Sequence, residues 1–252
     1  MINIVIPMAG LGSRFANAGY LDPKPLILVM NVPMIKLVID NLRPSVPHRF
    51  IFICQRAHMI AYDLQTKLSA WAKDSILIPL DGVTEGAACT VLTAKSFIDN
   101  DEPLMIANSD QYIDADIDEY LNHMQTENLD GLIMTMEAND PKWSFVGLNE
   151  KNLVTRVVEK EVISNEATVG IYNFRHGKDF VNAAETMIAR NERVNNEFYV
   201  APVYNTLIEQ NSRIGIFNIG SEAKGMYGLG TPADLDLFIS LPIAKYATRE
   251  CL

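Results

Sequence analysis

Gly10, Gly12, Arg14 and Lys24 are residues of the types that hold phosphate, and they fall within a short stretch near the start of the chain. They lie in Pro7-Met8-Ala9-Gly10-Leu11-Gly12-Ser13-Arg14-Phe15 and in Pro23-Lys24-Pro25. Glycines let the backbone turn with φ > 0 and bring bare N–H groups against a ligand, where a following helix adds its positive end. The arginine carries a planar fork of donors suited to phosphate oxygens. Prolines on both sides of Lys24 stiffen its backbone and disfavour helix. A Gly-x-Gly turn after a strand also serves as a plain strand-to-helix connection, and the pattern alone leaves both open. The third glycine of a dinucleotide-binding fingerprint would fall on Phe15, whose ring prevents close helix packing, so that fingerprint is excluded. No G-x-x-x-x-G-K-[ST] spacing occurs, which excludes a P-loop.

Further candidates follow a strand pattern over 103–107, in Asn108-Ser109-Asp110-Gln111. A carboxylate at the end of such a strand is placed to hold a Mg²⁺ that bridges nucleotide phosphates, or simply to cap a turn. Glu85-Gly86-Ala87-Ala88 offers a helix start of small residues, against which a flat ring could lie, or which could serve tight helix packing. No Ser-His-Asp or Cys-His set is recognisable.

These residues need a scaffold that brings them to one edge. Asn3-Ile4-Val5-Ile6 reads as a buried strand, too short for a helix and bounded by Pro7. Strands are expected over 26–30, 49–54, 75–80 and 103–107. Helices are expected from Pro33 to Asn41, with proline in its favoured first position, and over 57–73 and 85–98. Such alternation implies a mostly parallel sheet that gathers ligands at the carboxyl ends of its strands. The second half changes character. A helix near 116–127 and a strand near 132–137 precede a largely strand-like stretch, 145–174, with polar turns such as Asn149-Glu150-Lys151-Asn152. Helices over 178–190 and 197–210, a strand over 213–219 and a closing helix over 232–239, with Thr231 as N-cap, complete the chain. The expectation is one domain over 1–252: a first half to about residue 140, a second, β-rich half over about 141–225, and a closing helix and tail over 226–252.

The totals agree with an α/β protein of this kind. The 252 residues suffice for a full core, and 48% hydrophobic with 21% charged residues is ordinary for a globular chain. A formal charge of −10 argues against nucleic acid, because counterion release needs a basic face. Cys54, Cys89 and Cys251 form no C-x-x-C and suggest buried or free thiols in a reducing compartment. His48, His58, His123 and His176 lie far apart and offer no zinc motif. No basic n-region precedes the first apolar run, and nothing approaches the roughly 18 apolar residues of a membrane span. A soluble, cytoplasmic protein is expected.

Taken in order, Ala9-Gly10-Leu11-Gly12-Ser13-Arg14-Phe15, Lys24-Pro25-Leu26, Glu85-Gly86-Ala87-Ala88, Asp110, Val158-Glu159-Lys160, Val169-Gly170-Ile171-Tyr172 and Gly230-Thr231-Pro232 resemble the sugar-nucleotidyltransferase family from end to end. The likeness is nearest to capsule-type members that use CTP. The resemblance implies a GT-A-like, Rossmann-like α/β fold: a mostly parallel central sheet flanked by helices, with a β-rich acceptor-binding insert. It also implies transfer of a nucleotidyl group from an NTP to a small phosphorylated acceptor, releasing pyrophosphate, with Mg²⁺ as cofactor. By the same resemblance Ala9, Gly10, Gly12 and Ser13 bind the nucleotide, Gly10 and Gly12 holding its phosphates through their amides, Arg14 neutralises the departing pyrophosphate, and Lys24 meets the reacting phosphate. Glu85, Gly86, Ala87 and Ser109 border the nucleotide, and Asp110 binds the metal. Glu159, Lys160, Thr168 and Gly170 meet the acceptor.

One position departs from the family pattern. Members acting on sugar 1-phosphates carry a second metal-binding aspartate two residues before the Gly-Thr-Pro, and here Gly228 stands there, with Asp234 and Asp236 on the closing helix. A nucleotide-binding homologue without catalysis therefore stays open. A nucleotide-sugar-dependent glycosyltransferase is also open, although it would want a D-x-D pair and Ser109-Asp110-Gln111 supplies one carboxylate.

Overall fold

In chain order the first half runs β1 (Ile2–Pro7), α1 (Ser13–Asn17), a 3-10 turn (Lys24–Leu26), β2 (Leu28–Val29), β3 (Val32–Pro33), α2 (Met34–Asn41) and β4 (His48–Gln55). It continues with α3 (Arg56–Ala61), α4 (Leu64–Trp71), β5 (Ile76–Leu80), α5 (Ala87–Leu92), α6 (Lys95–Ile98), β6 (Leu104–Ala107), β7 (Gln111–Ile113) and α7 (Ile117–Thr126). The second half comprises β8 (Gly131–Glu137), β9 (Ser144–Leu148), β10 (Val154–Glu159), β11 (Glu166–Phe174), α8 (Gly177–Ala189), α9 (Val203–Glu209), β12 (Ile214–Glu222), β13 (Gly225–Gly228), α10 (Pro232–Ser240) and α11 (Pro242–Arg249). This computed structural model describes residues 1–249, so Cys251 lies outside the described residues.

The main sheet has the order β5-β4-β1-β6-β11-β8-β12-β13-β7, with β9 and β10 attached beside β11. The pairs β5/β4, β4/β1, β1/β6, β8/β12 and β12/β13 are parallel, while β11 runs antiparallel between β6 and β8. The parallel strands thus send their carboxyl ends to one edge.

Both faces of the sheet are covered. Side chains alternate along β1 and β4: Ile4, Ile6, Phe50 and Phe52 enter one apolar cluster with Val38 and Met134, whereas Val5, Ile51 and Ile53 enter another with Val91 and Phe180. A strand buried on both sides reads as a continuous apolar run, which is why these were legible. Cys54 is buried in the first cluster, where desolvation pushes its thiol up to about 12. No helix among the described residues is long and apolar enough to cross a membrane.

Several expected elements are shorter or broken. The strand expected over 26–30 is the 3-10 turn followed by a two-residue strand, hairpinned to β3 off the main sheet through Met30 and Asn31, whose φ values are 48° and 74°. Pro33 ends β3, and α2 begins one residue later. The helix expected over 57–73 breaks at Asp63, with φ 48°, and the one over 85–98 becomes α5 and α6. In place of a helix from Glu197, Val194 and Glu197 form a β-bridge around Asn195 and Asn196, and α9 starts only after Pro202. β7, β13 and α11 were not anticipated. The closing helix forms as expected, with the Thr231 hydroxyl oxygen accepting the Asp234 N–H at 3.1 Å.

Candidate active site

β1 delivers the glycine turn. Gly12 adopts φ 63°, and a Cβ there would sit 3.3 Å from Lys24 Cβ, so a side chain at this position would strain the backbone and push on the lysine. A Cβ on Gly10 would meet nothing within 4 Å, leaving that side of the turn open. The Ala9 carbonyl accepts the buried Gln55 Nε2 at 2.5 Å, and the same amide donates to Gly82 O at 2.7 Å, which fixes the root of the turn to the end of β4. Ser13 and Arg14 are exposed. Among the described residues the Arg14 guanidinium makes no ion pair. The helix that follows spans only five residues, so the donors this turn offers are its own N–H groups rather than a long helix dipole.

β6 delivers the carboxylate. Lys24 Nζ donates to Asp110 Oδ2 at 2.8 Å, with both side chains about one quarter exposed, at 24% and 23%. The Leu229 N–H donates to the Asp110 carbonyl at 2.8 Å, and a Cβ on Gly230 would lie 2.8 Å from Asp110 Oδ2. A glycine at 230 is therefore what lets this carboxylate keep its place beside Lys24. Asp110 Oδ1 has no partner among the described residues. A Cβ on Gly228 would approach Asp234 Cγ at 3.7 Å and Oδ2 at 3.8 Å, so the Asp234 carboxylate borders the position at which the resemblance leads one to expect an aspartate in members acting on sugar 1-phosphates. Among the described residues no three His, Cys, Asp or Glu side chains gather. Mg²⁺ commonly sits on one or two carboxylates and completes its shell with substrate phosphates and water, and this donor set fits that pattern.

Gly86 has φ 131°, and a Cβ on it would lie 2.5 Å from both Phe198 N and Phe198 O. The close approach expected at this glycine is made by the protein's own backbone: Phe198 N–H donates to Glu85 O at 2.8 Å, and Ala88 N–H to Phe198 O at 3.0 Å. Glu85 is exposed and pairs with Arg193 at 2.5 Å, while Ala87, in the first turn of α5, is half-buried.

β10 and β11 build the second wall. Glu159 is 9% exposed and accepts a hydrogen bond from Ser144 Oγ. Burial raises its carboxyl above the ordinary glutamate range, partly opposed by Ser144 and by the Lys160 charge. Lys160, at φ 59°, donates to Tyr199 OH at 2.7 Å and stands 4.9 Å from that ring's centroid. Thr168 is buried, with Oγ1 3.0 Å from Tyr172 OH. Gly170, at φ 80° in a bulge of β11, leaves room for Asn108 Nδ2, which a Cβ would meet at 2.1 Å, and for Gln111 Oε1 at 3.1 Å. Gly170 O accepts the Asn108 N–H at 3.0 Å, tying the floor of this wall to the turn that carries buried Ser109 and Asp110.

The fold thus joins Gly12, Lys24, Asp110 and Gly230, joins Glu85 to residue 198, and joins Gly170 to the Asp110 turn. No hydrogen bond among the described residues links Arg14 to the Lys24–Asp110 pair. Sequence reasoning missed Gln55, Ser144, Arg193, Phe198 and Tyr199. Gln55 carried one usable signal, a polar residue ending a parallel strand, and Asn195-Asn196 signalled a turn inside an apparent helix.

The architecture is the GT-A-like α/β fold, shared with solved structures. The nucleoside-diphosphate-sugar pyrophosphorylase of Vibrio cholerae RC9 superposes with a TM-score of 0.78 at 24% identity, over 94% of this chain and all of that one, the latter coverage being 100%. The inositol-1-phosphate CTP transferase of T. maritima superposes with a TM-score of 0.72 at 14% identity, covering 98% of this chain and 95% of that one. The model of the nucleotidyl transferase family matches residues 4–210, and the chain belongs to that family. Among curated relatives, the bifunctional protein GlmU of Methanococcus maripaludis strain S2 is 26% identical over 241 residues, which cover 93% of this chain and 53% of that protein. The chain spans about half the length of that relative.

Proposed function

We propose that this protein transfers a nucleotidyl group from a nucleoside triphosphate to a small phosphorylated acceptor, releasing pyrophosphate, as a cytoplasmic enzyme. The finer reading takes CTP as donor, in the manner of a CTP:phosphoglutamine cytidylyltransferase serving capsular or surface polysaccharide synthesis. The reading rests above all on the Lys24–Asp110 pair, 2.8 Å apart and close to the glycine turn, where a Cβ on Gly12 would lie 3.3 Å from Lys24 Cβ. One cation suited to phosphate and one carboxylate suited to its metal stand together at the carboxyl edge of the sheet.

In this reading the residues to about 140 hold the nucleotide and those over about 141–225 hold the acceptor. The amides around Ala9, Gly10, Gly12 and Ser13 grip the triphosphate, Glu85, Gly86, Ala87 and Ser109 border base and ribose, and Glu159, Lys160, Thr168 and Gly170 receive the acceptor. Lys24 turns from Asp110 to the α-phosphate, and Arg14 faces the β- and γ-phosphates. An acceptor phosphate oxygen forms the new bond to the α-phosphorus as the bond to the bridging oxygen breaks, and pyrophosphate departs with that electron pair. The acceptor phosphate is already ionised near neutral pH, so alignment and charge neutralisation suffice and no general base is needed. Asp110, with Asp234 beside the gap at Gly228, would hold Mg²⁺, which would supply further charge neutralisation.

The glycine at 228 favours a second reading, a nucleotide-binding protein without catalysis. The exposed Arg14 and the Lys24 close to Gly12 weigh against that reading, since a binder has little need to neutralise a leaving pyrophosphate. Pyrophosphate release measured with each of the four NTPs, Mg²⁺ and a panel of phosphorylated sugars, polyols and amides separates them. Release that requires one NTP and one acceptor supports the transferase. Nucleotide binding without release from any pair supports the silent homologue, and glycosyl transfer from a nucleotide sugar would support a glycosyltransferase instead.

A further inference from the structure

The segment between α8 and α9 touches both walls of the candidate site with consecutive residues. Its hairpin is closed by reciprocal bonds between Val194 and Glu197, at 3.1 and 2.9 Å, around Asn195 and Asn196, whose φ values of 49° and 64° suit a tight left-handed turn. Phe198 is laced to Glu85 and Ala88 by its backbone, and the Arg193 guanidinium lies 4.3 Å from its ring centroid while pairing with Glu85. The next residue, Tyr199, faces the other wall and meets Lys160 with both its ring and its hydroxyl oxygen. Lys160 follows Glu159 in a left-handed backbone conformation, rare for lysine, that only a surrounding structure sustains.

The geometry points to Tyr199 as a positioning residue for Lys160: its ring and hydroxyl hold the ammonium in the acceptor wall, and its backbone neighbour is bound to the nucleotide wall. This inference rests on the reading of Lys160 as an acceptor-phosphate ligand. A lysine side chain free in water samples many rotamers, and fixing it before the acceptor arrives removes part of the ordering cost of binding. The hydrogen bond to Tyr199 uses one ammonium proton, and the other two remain for a phosphate. The contact also raises the lysine's proton affinity, keeping it cationic.

The test uses inorganic phosphate, the group all such acceptors share, titrated into the full-length protein held with α,β-methylene-CTP and Mg²⁺. Four proteins are compared: wild type, Lys160→Ala, Tyr199→Phe and the double variant. Tyr199→Phe keeps the ring and loses only the hydroxyl, and its thermal midpoint should match wild type. We expect phosphate binding to weaken about tenfold in Lys160→Ala and about threefold to tenfold in Tyr199→Phe. In the Lys160→Ala background, Tyr199→Phe should change nothing further, because the tyrosine acts through the lysine. In parallel, NMR titration of the Lys160 ε-carbon should show its midpoint falling in Tyr199→Phe. Weakening by Lys160→Ala alone would overturn the positioning role, as would equal weakening by Tyr199→Phe with or without Lys160. No weakening in either single variant, or no phosphate binding by wild type, would remove the acceptor reading itself and this role with it.

Discussion

Lys24 and Asp110 neutralise one another in the protein alone, and in the proposed reaction each would take a different partner once a metal–nucleotide complex is present. Replacing Lys24 by Ala should lower turnover by about 10²- to 10³-fold, the usual cost of losing one charge stabiliser, with little change in thermal midpoint. It should also uncover the Asp110 carboxylate. Mn²⁺ titrated by electron paramagnetic resonance into nucleotide-free Lys24→Ala should bind more tightly than to wild type. Equal damage to stability and turnover would count against the catalytic role. Glu159 gives a pH-dependent prediction. Burial raises its carboxyl above the unfolded value of about 4.3, so the neutral form is favoured by folding. Its contribution to stability is fully present below the unfolded value and is lost as pH rises through the folded one. Glu159→Gln stays neutral, so its thermal midpoint relative to wild type should rise as pH goes from about 4 to 7. Acceptor KM should rise in the same variant while nucleotide KM holds, which turnover at varied acceptor and varied nucleotide will show.

Among elements, the glycine turn offers the cleanest separation of phosphate cradle from plain connection. A methyl group at position 10 meets nothing within 4 Å, whereas one at 12 meets Lys24 and a φ of 63°. Gly10→Ala should therefore keep the wild-type melting temperature yet weaken nucleotide binding, measured calorimetrically, because the methyl occupies space a triphosphate would fill. Gly12→Ala should lose both stability and binding, the backbone strain alone costing about 1 kcal/mol or more. Wild-type affinity in Gly10→Ala would reduce the turn to a connector. The elements also show where reading from sequence stops. β1 and β4 were legible because apolar runs buried on both faces announce themselves, and α10 because Thr231 and Pro232 mark its start. The break at Asp63 was not, since a single left-handed residue between two helical patterns leaves little trace in composition.

At the scale of the whole molecule, the two walls meet where β11 runs antiparallel between β6 and β8 and carries its bulge to the Asp110 turn. A ligand gripping both walls should stabilise the entire chain. Mg²⁺ with CTP at about 100 times its Kd should add about 2.7 kcal/mol, seen as a melting-temperature rise of several degrees by calorimetry. EDTA should remove most of that rise without altering the midpoint of the protein alone. A rise with another NTP and none with CTP would redirect the choice of base.

Glycines after an apolar run, a lysine between prolines and the alternation of strand and helix were determined by the sequence itself, because backbone freedom and hydrophobic period are local properties. Tertiary structure alone decided that Lys24 meets Asp110, that Gly230 makes room for that carboxylate, and that Gly86 yields to the backbone of Phe198. It also decided that Tyr199, in a segment patterned like helix, stands against Lys160. Contacts between residues dozens of positions apart depend on sheet order and register, and no local preference encodes those.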